Sequence, residues 1–411
     1  MSRDTLAWLS HRADGHHLAD GEVVVTVAGP SGAATAATLA DRLRAFETPD
    51  EVVRSRLAIA SQVAADLGRT ESLVAALVVG STALRRCSVR ADLDLVVIAP
   101  SRPSERFESR FIDGVQVEIE RQSVHEALIA TTGSGWVWEL RTAARLGCNV
   151  PAFDSDGCAT DLTRRAAAMT PSPDRFEASL RDTYVLLIQL GNDDGDPARR
   201  MDALRGCLDN LALLALLERP RRYQKAKWVL ADLLYAGEGA LVDATLAAYG
   251  IVSDDAASAQ DAAAGVQELI ERTYATAALP PHEAILTMGY APELAHASYV
   301  SRCLEDAGDL AASGRFVEAQ YVAKFAARLA AGVAAGSGRA GPGGDPGEPC
   351  GIVDAFAAGG RRNDLAGRYL ALFQDGTELV PALREAAVIA ADARLAAMRS
   401  RADGSQAFQT A

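Results

Sequence analysis

The chain has 411 residues, 49% of them hydrophobic, and a formal net charge of -13. This length predicts two or three domains, because one domain usually holds roughly 100 to 200 residues. The acidic balance disfavours long DNA or RNA as the partner, since phosphate contacts need clustered Lys and Arg; it suits either a cationic small molecule or simple solubility.

The first predicted elements are a strand over residues 22–28 and an Ala-rich helix over about 33–46, joined by a Gly-Pro-Ser-Gly loop. This order resembles the opening of a uridine-kinase-like P-loop protein. The Lys and the Ser or Thr that bind phosphate and Mg²⁺ in a Walker A motif are absent, because residues 34–36 read Ala-Thr-Ala. We therefore interpret residues 29–36 as a decayed loop or a plain turn, within an N-terminal strand-turn-helix extension.

The next region predicts a half-buried sheet with helices around it. A helical pattern runs from Pro49 to about Leu67, and another covers Ser134 to Leu146. The predicted strands are Ala75 to Val79, Leu93 to Ile98, Val115 to Ile119 after an Asp113-Gly114 turn, and a short strand with a turn within 151–157.

From Pro173 onward the sequence is rich in Ala, Leu and Arg, which favour helix. Helical patterns cover about 174–191, 197–218, 222–236, 239–249, 257–277 and 292–332. A Gly/Pro-rich stretch then predicts a linker or mobile loop. The predicted organisation is an α/β N-terminal domain followed by a large all-α domain, with these boundaries: extension 1–50, α/β domain 51–160, helical domain 161–335, linker 336–351 and C-terminal helical segment 352–411.

The chemistry-bearing pattern lies where two predicted strands meet a loop. One strand ends in Gly80-Ser81, and about ten residues further on Asp92-Leu93-Asp94 opens the next strand. Because strand side chains alternate, Asp92 and Asp94 point to one face, where two carboxylates can hold Mg²⁺. Gly80 lets the backbone approach a phosphate, and Ser81 can donate hydrogen bonds to it.

A third carboxylate is expected on a neighbouring strand. Glu118 and Glu120 alternate on the same face of the predicted strand that follows the Asp113-Gly114 turn. Either one can complete a metal site. Taken singly, the Asp-x-Asp and the glutamates are equally typical of a solvated acidic strand edge.

In this order the residues resemble the polymerase-beta-type nucleotidyltransferase superfamily over about residues 70–130. The closest likeness is to its small-molecule members, the aminoglycoside nucleotidyltransferases, in which a helical domain follows a small sheet domain. The resemblance implies that Asp92, Asp94 and Glu118 are catalytic metal ligands for Mg²⁺. It also implies that Gly80 and Ser81 bind the triphosphate of an NTP.

One part of the loop departs from that family. Many relatives have a further Gly shortly after Gly-Ser, whereas this chain continues Thr82-Ala83-Leu84-Arg85. Arg85, with Arg86 beside it, is expected either to reach the phosphates or to lie in a solvated turn. Lys225 and Lys227 precede Trp228 in a segment that resembles the opening of a helix in the second domain of such enzymes; they are nucleotide-binding candidates or a basic helix start.

The sequence thus predicts transfer of a nucleoside monophosphate from an NTP to a hydroxyl of a small polar molecule of antibiotic or natural-product type. The alternative is a protein-modifying or antitoxin-like regulatory nucleotidyltransferase. Asp182 and Asp209 are candidate bases for the acceptor hydroxyl. The NTP, the acceptor and the oligomeric state are left open.

Localisation is expected to be cytoplasmic. The six cysteines lack C-x-x-C spacing, which indicates neither a zinc site nor a disulfide framework. Charged residues interrupt the N-terminal segment, and no stretch approaches the roughly 18 apolar residues of a membrane helix. We therefore expect no membrane partner.

Overall fold

The computed structural model describes residues 48–87, 91–192, 195–219, 225–276, 297–337, 363–373 and 377–409, with a few isolated residues between 35 and 40. The strand predicted over 22–28, the loop at 29–32, most of the helix predicted over 33–46, and nearly all of the predicted linker lie outside the described residues. The chain divides into two compact units. The sheet unit comprises Ala40–Ser172 with Leu216–Gln224, and the helical unit comprises Met1–Leu39, Pro173–Ala215 and Lys225–Ala411.

The sheet unit contains strands and helices in mixed order. Its strands are β1 (Ala75–Val78), β2 (Leu93–Ala99), β3 (Phe107–Ile112), β4 (Val115–Ser123), β5 (Ser134–Gly135), β6 (Val150–Asp154) and β7 (Thr170–Pro171). Its helices are α1 (Asp50–Gly68), α2 (Gly80–Ala83), α3 (Val124–Ala130), α4 (Val137–Gly147) and α5 (Cys158–Ala168). The predicted strands and helices between Pro49 and 157 are therefore confirmed to within a few residues.

Five of the strands form one mixed sheet in the order β3-β4-β2-β1-β6. Strands β2 and β4 are parallel, and the other neighbours are antiparallel. The β3–β4 hairpin turns at Asp113 and Gly114, both with positive φ (49° and 80°), as expected for a tight two-residue turn. Parallel pairing of β2 and β4 places their N-terminal ends side by side.

Helices cover both faces of this sheet, and each face has its own apolar core. On one face Ile59, Val63 and Leu67 of α1 pack among buried residues that include Leu95 and Val117. On the other face, Leu77, Val96 and Ile98 pack against Ala127 of α3, Leu146 of α4 and Leu162 of α5. Since strand side chains alternate, these two cores fix which residues of β2 and β4 face each layer.

The helical unit is built from longer helices. They are α6 (Pro173–Asn192), α7 (Pro197–Leu217, whose last residues belong to the sheet unit), α8 (Val229–Tyr235), α9 (Gly239–Ala248), α10 (Ala256–Thr276), α11 (Ala297–Ala312), α12 (Phe316–Ser337), α13 (Asn363–Leu372) and α14 (Val380–Gln409). Short 3-10 turns occupy Ala226–Trp228 and Thr377–Leu379. A mixed sheet in the N-terminal part and a mostly helical C-terminal part are thus confirmed.

Two helical predictions need correction. The single helix predicted over 292–332 is two helices, α11 and α12, because Gly314 adopts φ +76° between them. The helix predicted over 222–236 starts with a 3-10 turn, and its regular part begins only at Val229. Helices α2, α3 and α5 and strands β3, β5 and β7 were not predicted as separate elements.

Buried charges join several helices of the helical unit. Arg328 is 4% exposed at its side chain and donates to Asp202 Oδ1 at 2.7 Å and to Asp209 Oδ2 at 3.1 Å. Lys324 is also buried, and its Nζ donates to the backbone oxygen of Tyr249 at 2.8 Å, just beyond the C-terminal end of α9. Burial lowers the pKa of Lys324 to about 8.

Candidate metal centre

The loop after β1 makes a close approach to β2. Gly80 has φ +66°, and a Cβ atom added there would lie 2.2 Å from Asp94 Oδ2. The backbone N–H of Val79 donates to the carbonyl of Asp94 at 3.0 Å, which holds the start of the loop beside β2. Both the backbone conformation and the lack of space therefore require glycine at this position.

Two hydroxyl groups follow that glycine in the short helix α2. Ser81 is 6% exposed and Thr82 is 1% exposed. Within the described part of the chain, neither side-chain oxygen has a hydrogen-bond partner. Because buried hydroxyls are nearly always bonded, both are candidates to donate to a bound group. Sequence reasoning selected Ser81 and missed Thr82.

The predicted carboxylates converge beside this loop. Asp92 immediately precedes β2, Asp94 lies within it, and the parallel register pairs Asp94 with Glu118 of β4. One carboxylate oxygen from each of these three residues lies within 4.8 Å of the others. The Asp94 side chain is only 12% exposed, so the group is partly shielded from water. These oxygens are the ligand type that Mg²⁺ prefers.

A buried arginine supports the entry to β2. Arg56 of α1 is 2% exposed, and its Nη1 donates to the backbone oxygen of Asp92 at 2.9 Å. This bond ties the residue before β2 to the helix that packs on one face of the sheet. Sequence reasoning did not identify Arg56, because its place within the amphipathic pattern of α1 carries no local sign of that partner.

Glu120 has a different role from Glu118. Its Oε2 accepts a hydrogen bond from Nη1 of Arg145, near the end of α4, and Nη2 of the same guanidinium lies 3.7 Å from Asp94 Oδ1. A surface pocket next to the carboxylates is bordered by Glu118, Glu120 and Arg145, together with Phe107 and Ser109 of β3. Arg145 is thus a cation at the rim of the carboxylate group.

The opposite face of β4 carries an ion-pair cluster. Arg121 is 6% exposed and donates to Glu71 Oε1 at 3.0 Å and to Glu108 Oε2 at 2.6 Å. Burial alone would lower the pKa of Arg121, but its bonds to the two glutamates outweigh burial and raise that pKa. A hydrogen bond from Arg110 is the main reason that the pKa of Glu108 is lowered. This cluster fixes β4 to β3 and to the end of α1.

The other predicted nucleotide-binding residues have partners of their own. Arg85 follows the Gly80 loop with φ 57° and forms an exposed ion pair with Asp50. Lys225 and Lys227 belong to the helical unit. Each has its Nζ within 6 Å of the Trp228 ring centre, at 5.8 and 5.9 Å, and Lys227 also binds Asp306. Within the sheet unit, Gly80 and Ser81 are the predicted nucleotide-binding residues that lie beside the carboxylates.

The two candidate bases differ sharply in environment. The Asp182 side chain is 76% exposed. Asp209 is embedded in the helical unit, where it accepts hydrogen bonds from Tyr249 and Arg328, and burial raises its pKa. Asp209 therefore belongs to the buried polar cluster that links α7, the end of α9 and α12.

A scan against protein-family models and a search of curated proteins found no match to this chain. Among the described residues, no helix is both long enough and apolar enough to cross a membrane.

Proposed function

We propose that this chain is a Mg²⁺-dependent nucleotidyltransferase that moves a nucleoside monophosphate from an NTP to a hydroxyl of a small polar molecule. The supporting observation is that Asp92, Asp94 and Glu118 converge within 4.8 Å of one another, beside Gly80 and Ser81. The sheet unit would then be a nucleotidyltransferase domain of the polymerase-beta type. That likeness rests on the order and spacing of the motif residues.

The carboxylates suit a divalent cation. Unit charges 4 Å apart repel by about 1 kcal/mol in water and by more where water is excluded, so three clustered carboxylates favour a cation among them. Asp92, Asp94 and Glu118 would hold Mg²⁺, leaving room for phosphate oxygens as further ligands. When bound, the metal neutralises charge on the phosphates and favours an attacking oxygen.

The loop residues would handle the triphosphate. Gly80, which has no side chain, allows the backbone to come close to phosphate oxygens. The buried hydroxyls of Ser81 and Thr82, without partners among the described residues, would donate to those oxygens. Fixed donors of this kind orient the α-phosphorus and contribute to the rate by positioning and by charge stabilisation.

The reaction balances as a substitution at phosphorus. The acceptor oxygen forms a bond to the α-phosphorus while the bond from that phosphorus to the bridging oxygen of the β-phosphate breaks. Pyrophosphate leaves with that electron pair, and the acceptor proton passes to a base or to water. Attack and departure are roughly in line, so the acceptor must approach from the side opposite the leaving pyrophosphate.

A small cationic acceptor fits the charge of the chain. The formal net charge of -13 disfavours a polyanionic acceptor such as tRNA. It favours an amine-bearing acceptor, since an acidic surface raises the local concentration of cations. A protein acceptor remains the alternative and is an explicit outcome of the experiment below.

The function is tested with labelled nucleotides. The protein is incubated with α-³²P-labelled ATP, GTP, CTP or UTP and Mg²⁺, in parallel with an aminoglycoside panel, a tRNA pool and a cell lysate. We expect label in a small-molecule fraction, and we expect EDTA or Asp92→Asn to abolish it. Label confined to tRNA or to a protein band would refute the small-molecule acceptor, and absence of label transfer to any fraction, including every fraction of the lysate, would refute the transferase itself.

A further inference from the structure

Glu120 and Arg145 form a charged pair beside the carboxylates, and the proposed transfer gives this pair no role. Glu120 follows Glu118 on the same face of β4, and its side chain is 20% exposed. Arg145 of α4 is 31% exposed, bonds Glu120 through Nη1, and brings Nη2 to 3.7 Å from Asp94 Oδ1. One guanidinium therefore contacts a carboxylate of the proposed metal centre and another just outside it.

The strand register explains why Glu120 is outside the centre. Asp94 pairs with Glu118, whereas Glu120 pairs with Val96, two residues further along both strands. Two residues advance a strand by roughly 6.6 Å, which separates the Glu120 backbone from the point where the other carboxylates meet. Its carboxylate is therefore available to hold Arg145.

The planar guanidinium suits such a shared position. Its N–H donors diverge in a fixed fork, so one arm can stay on Glu120 while the other faces Asp94. The 3.7 Å separation from Asp94 is longer than a hydrogen bond, whereas Nη1 donates a hydrogen bond to Glu120. Arg145 is therefore anchored on Glu120 and only approaches Asp94.

We propose that Arg145 is a positioning residue that acts as an exchangeable counter-ion of the metal centre. Without metal, its charge offsets the repulsion among Asp92, Asp94 and Glu118. A divalent cation competes with it for Asp94, and Glu120 keeps the displaced guanidinium at the rim. Arg145 thereby weakens metal binding and keeps the carboxylates assembled when no metal is present, and Glu120 limits that weakening by holding the guanidinium away from the metal. This inference rests on the proposed metal-dependent function.

The size of the effect follows from Coulomb attraction. A positive charge about 4 Å from a carboxylate opposes the binding of a second cation there, to an extent that depends on how well water screens it. Since each 1.4 kcal/mol is tenfold in a binding constant, removing the charge of Arg145 is expected to tighten divalent-cation binding by about tenfold. A residue that merely packed α4 against the sheet would not produce a tighter metal site.

The test compares charge-altered variants with Mn²⁺ alone as the probe. Wild type, Arg145→Gln, Arg145→Lys and Arg165→Gln are titrated with Mn²⁺ by calorimetry, without nucleotide, and melted in EDTA. Arg165 is a matched control because it is 35% exposed, lies in the same compact unit and pairs with Asp161. We expect Arg145→Gln to bind Mn²⁺ about tenfold more tightly and to melt at a lower temperature in EDTA. Arg165→Gln should keep wild-type affinity, and Arg145→Lys, which keeps the charge without the fork, should lie between wild type and Arg145→Gln.

A double-mutant cycle tests the role of Glu120. Removing its charge in Glu120→Gln should weaken Mn²⁺ binding more in the presence of Arg145 than in the Arg145→Gln background, because only the former contains a guanidinium to release. Equal changes in Mn²⁺ affinity in both backgrounds would overturn the proposed role of Glu120 in holding the guanidinium. Unchanged or weaker Mn²⁺ binding by Arg145→Gln would overturn the counter-ion role while leaving the transferase intact. Absence of Mn²⁺ binding by the wild type would overturn both.

Discussion

Asp94 and Glu118 are direct neighbours across the parallel pairing of β2 and β4. Their backbones belong to segments separated by the whole β3 hairpin, yet their carboxylates meet Asp92 in one group. The pairing depends on register, because a shift of one residue would turn Glu118 to the opposite face. Val117 and Ile119, the buried apolar residues on the other face of β4, therefore also determine the position of a charged group.

Removing one carboxylate of the centre should abolish activity without lowering stability. Asp92→Asn is expected to abolish Mn²⁺ binding and nucleotidyl transfer, while the melting temperature in EDTA rises slightly because repulsion is relieved. Asp94→Asn should be equally inactive but without the rise, since it also removes the partner of Arg145. Calorimetric titration and thermal melts check both variants. Wild-type turnover in either variant would contradict the metal assignment.

The two glutamates of β4 should behave differently. Glu118→Gln is expected to be inactive at any Mg²⁺ concentration, because it removes a proposed ligand. Glu120→Gln should retain turnover at saturating Mg²⁺, since its partner is Arg145. Initial rates measured over a series of Mg²⁺ concentrations distinguish them. An inactive Glu120→Gln together with an active Glu118→Gln would show that the third carboxylate is misassigned by two residues.

Gly80→Ala should lower stability and Mn²⁺ affinity more than Gly114→Ala, a control with similar backbone strain. Both Gly80 and Gly114 have positive φ, but a Cβ at Gly80 meets Asp94 Oδ2 at 2.2 Å, whereas one at Gly114 meets no atom within 4 Å. Backbone strain should cost about 1 kcal/mol in each variant. Gly80→Ala should lose about 1 to 3 kcal/mol more through overpacking, and it should also lose Mn²⁺ affinity. Equal losses in urea unfolding would contradict the close approach.

Lys324 should make stability depend on pH above neutrality. Burial lowers its pKa in the folded protein to about 8 from 10.5, so between these values the unfolded chain binds more protons than the native one. The contribution of this group to the free energy of unfolding therefore rises with pH in that window, by up to about 1.4 kcal/mol per pH unit. Below pH 8 the folded protein bears the full destabilisation of burying the charged lysine. Lys324→Met should lack this rise. Parallel profiles for the two proteins in urea unfolding from pH 7.5 to 10 would contradict it.

Much of the sheet was predictable because its strands are short apolar runs bounded by turn residues. Val115 to Ile119 alternate between faces, so the period of a strand placed Glu118 and Glu120 on one face, and the resemblance of the motif selected Glu118 between them. The parallel pairing of β2 with β4 was beyond sequence reasoning, since it depends on how helices pack on both faces. The break at Gly314 was missed because one Gly costs a helix only about 1 kcal/mol, too little to mark an end in an Ala-rich stretch.

The supporting residues of the centre were the least predictable. Arg56 and Arg145 lie in amphipathic helices that contain further arginines, and local spacing does not distinguish which guanidinium reaches the sheet. Thr82 differs from an ordinary surface threonine only through burial. The partner of each arginine is distant in sequence, Asp92 for Arg56 and Glu120 for Arg145, so the interaction exists only after the tertiary fold has formed.

The ion-pair cluster of Arg121 restricts how many residues can be inserted into β4, because an odd number would exchange its two faces. Arg121 is buried on the face opposite Glu118 and Glu120 and bonds Glu71 and Glu108. One residue inserted into β4 before Glu118 would carry the guanidinium to the acidic face and the glutamates into the apolar layer, whereas two residues would restore the faces. Homologous chains are therefore expected to vary in length at the exposed Asp113-Gly114 turn and to keep a constant count between Val117 and Arg121.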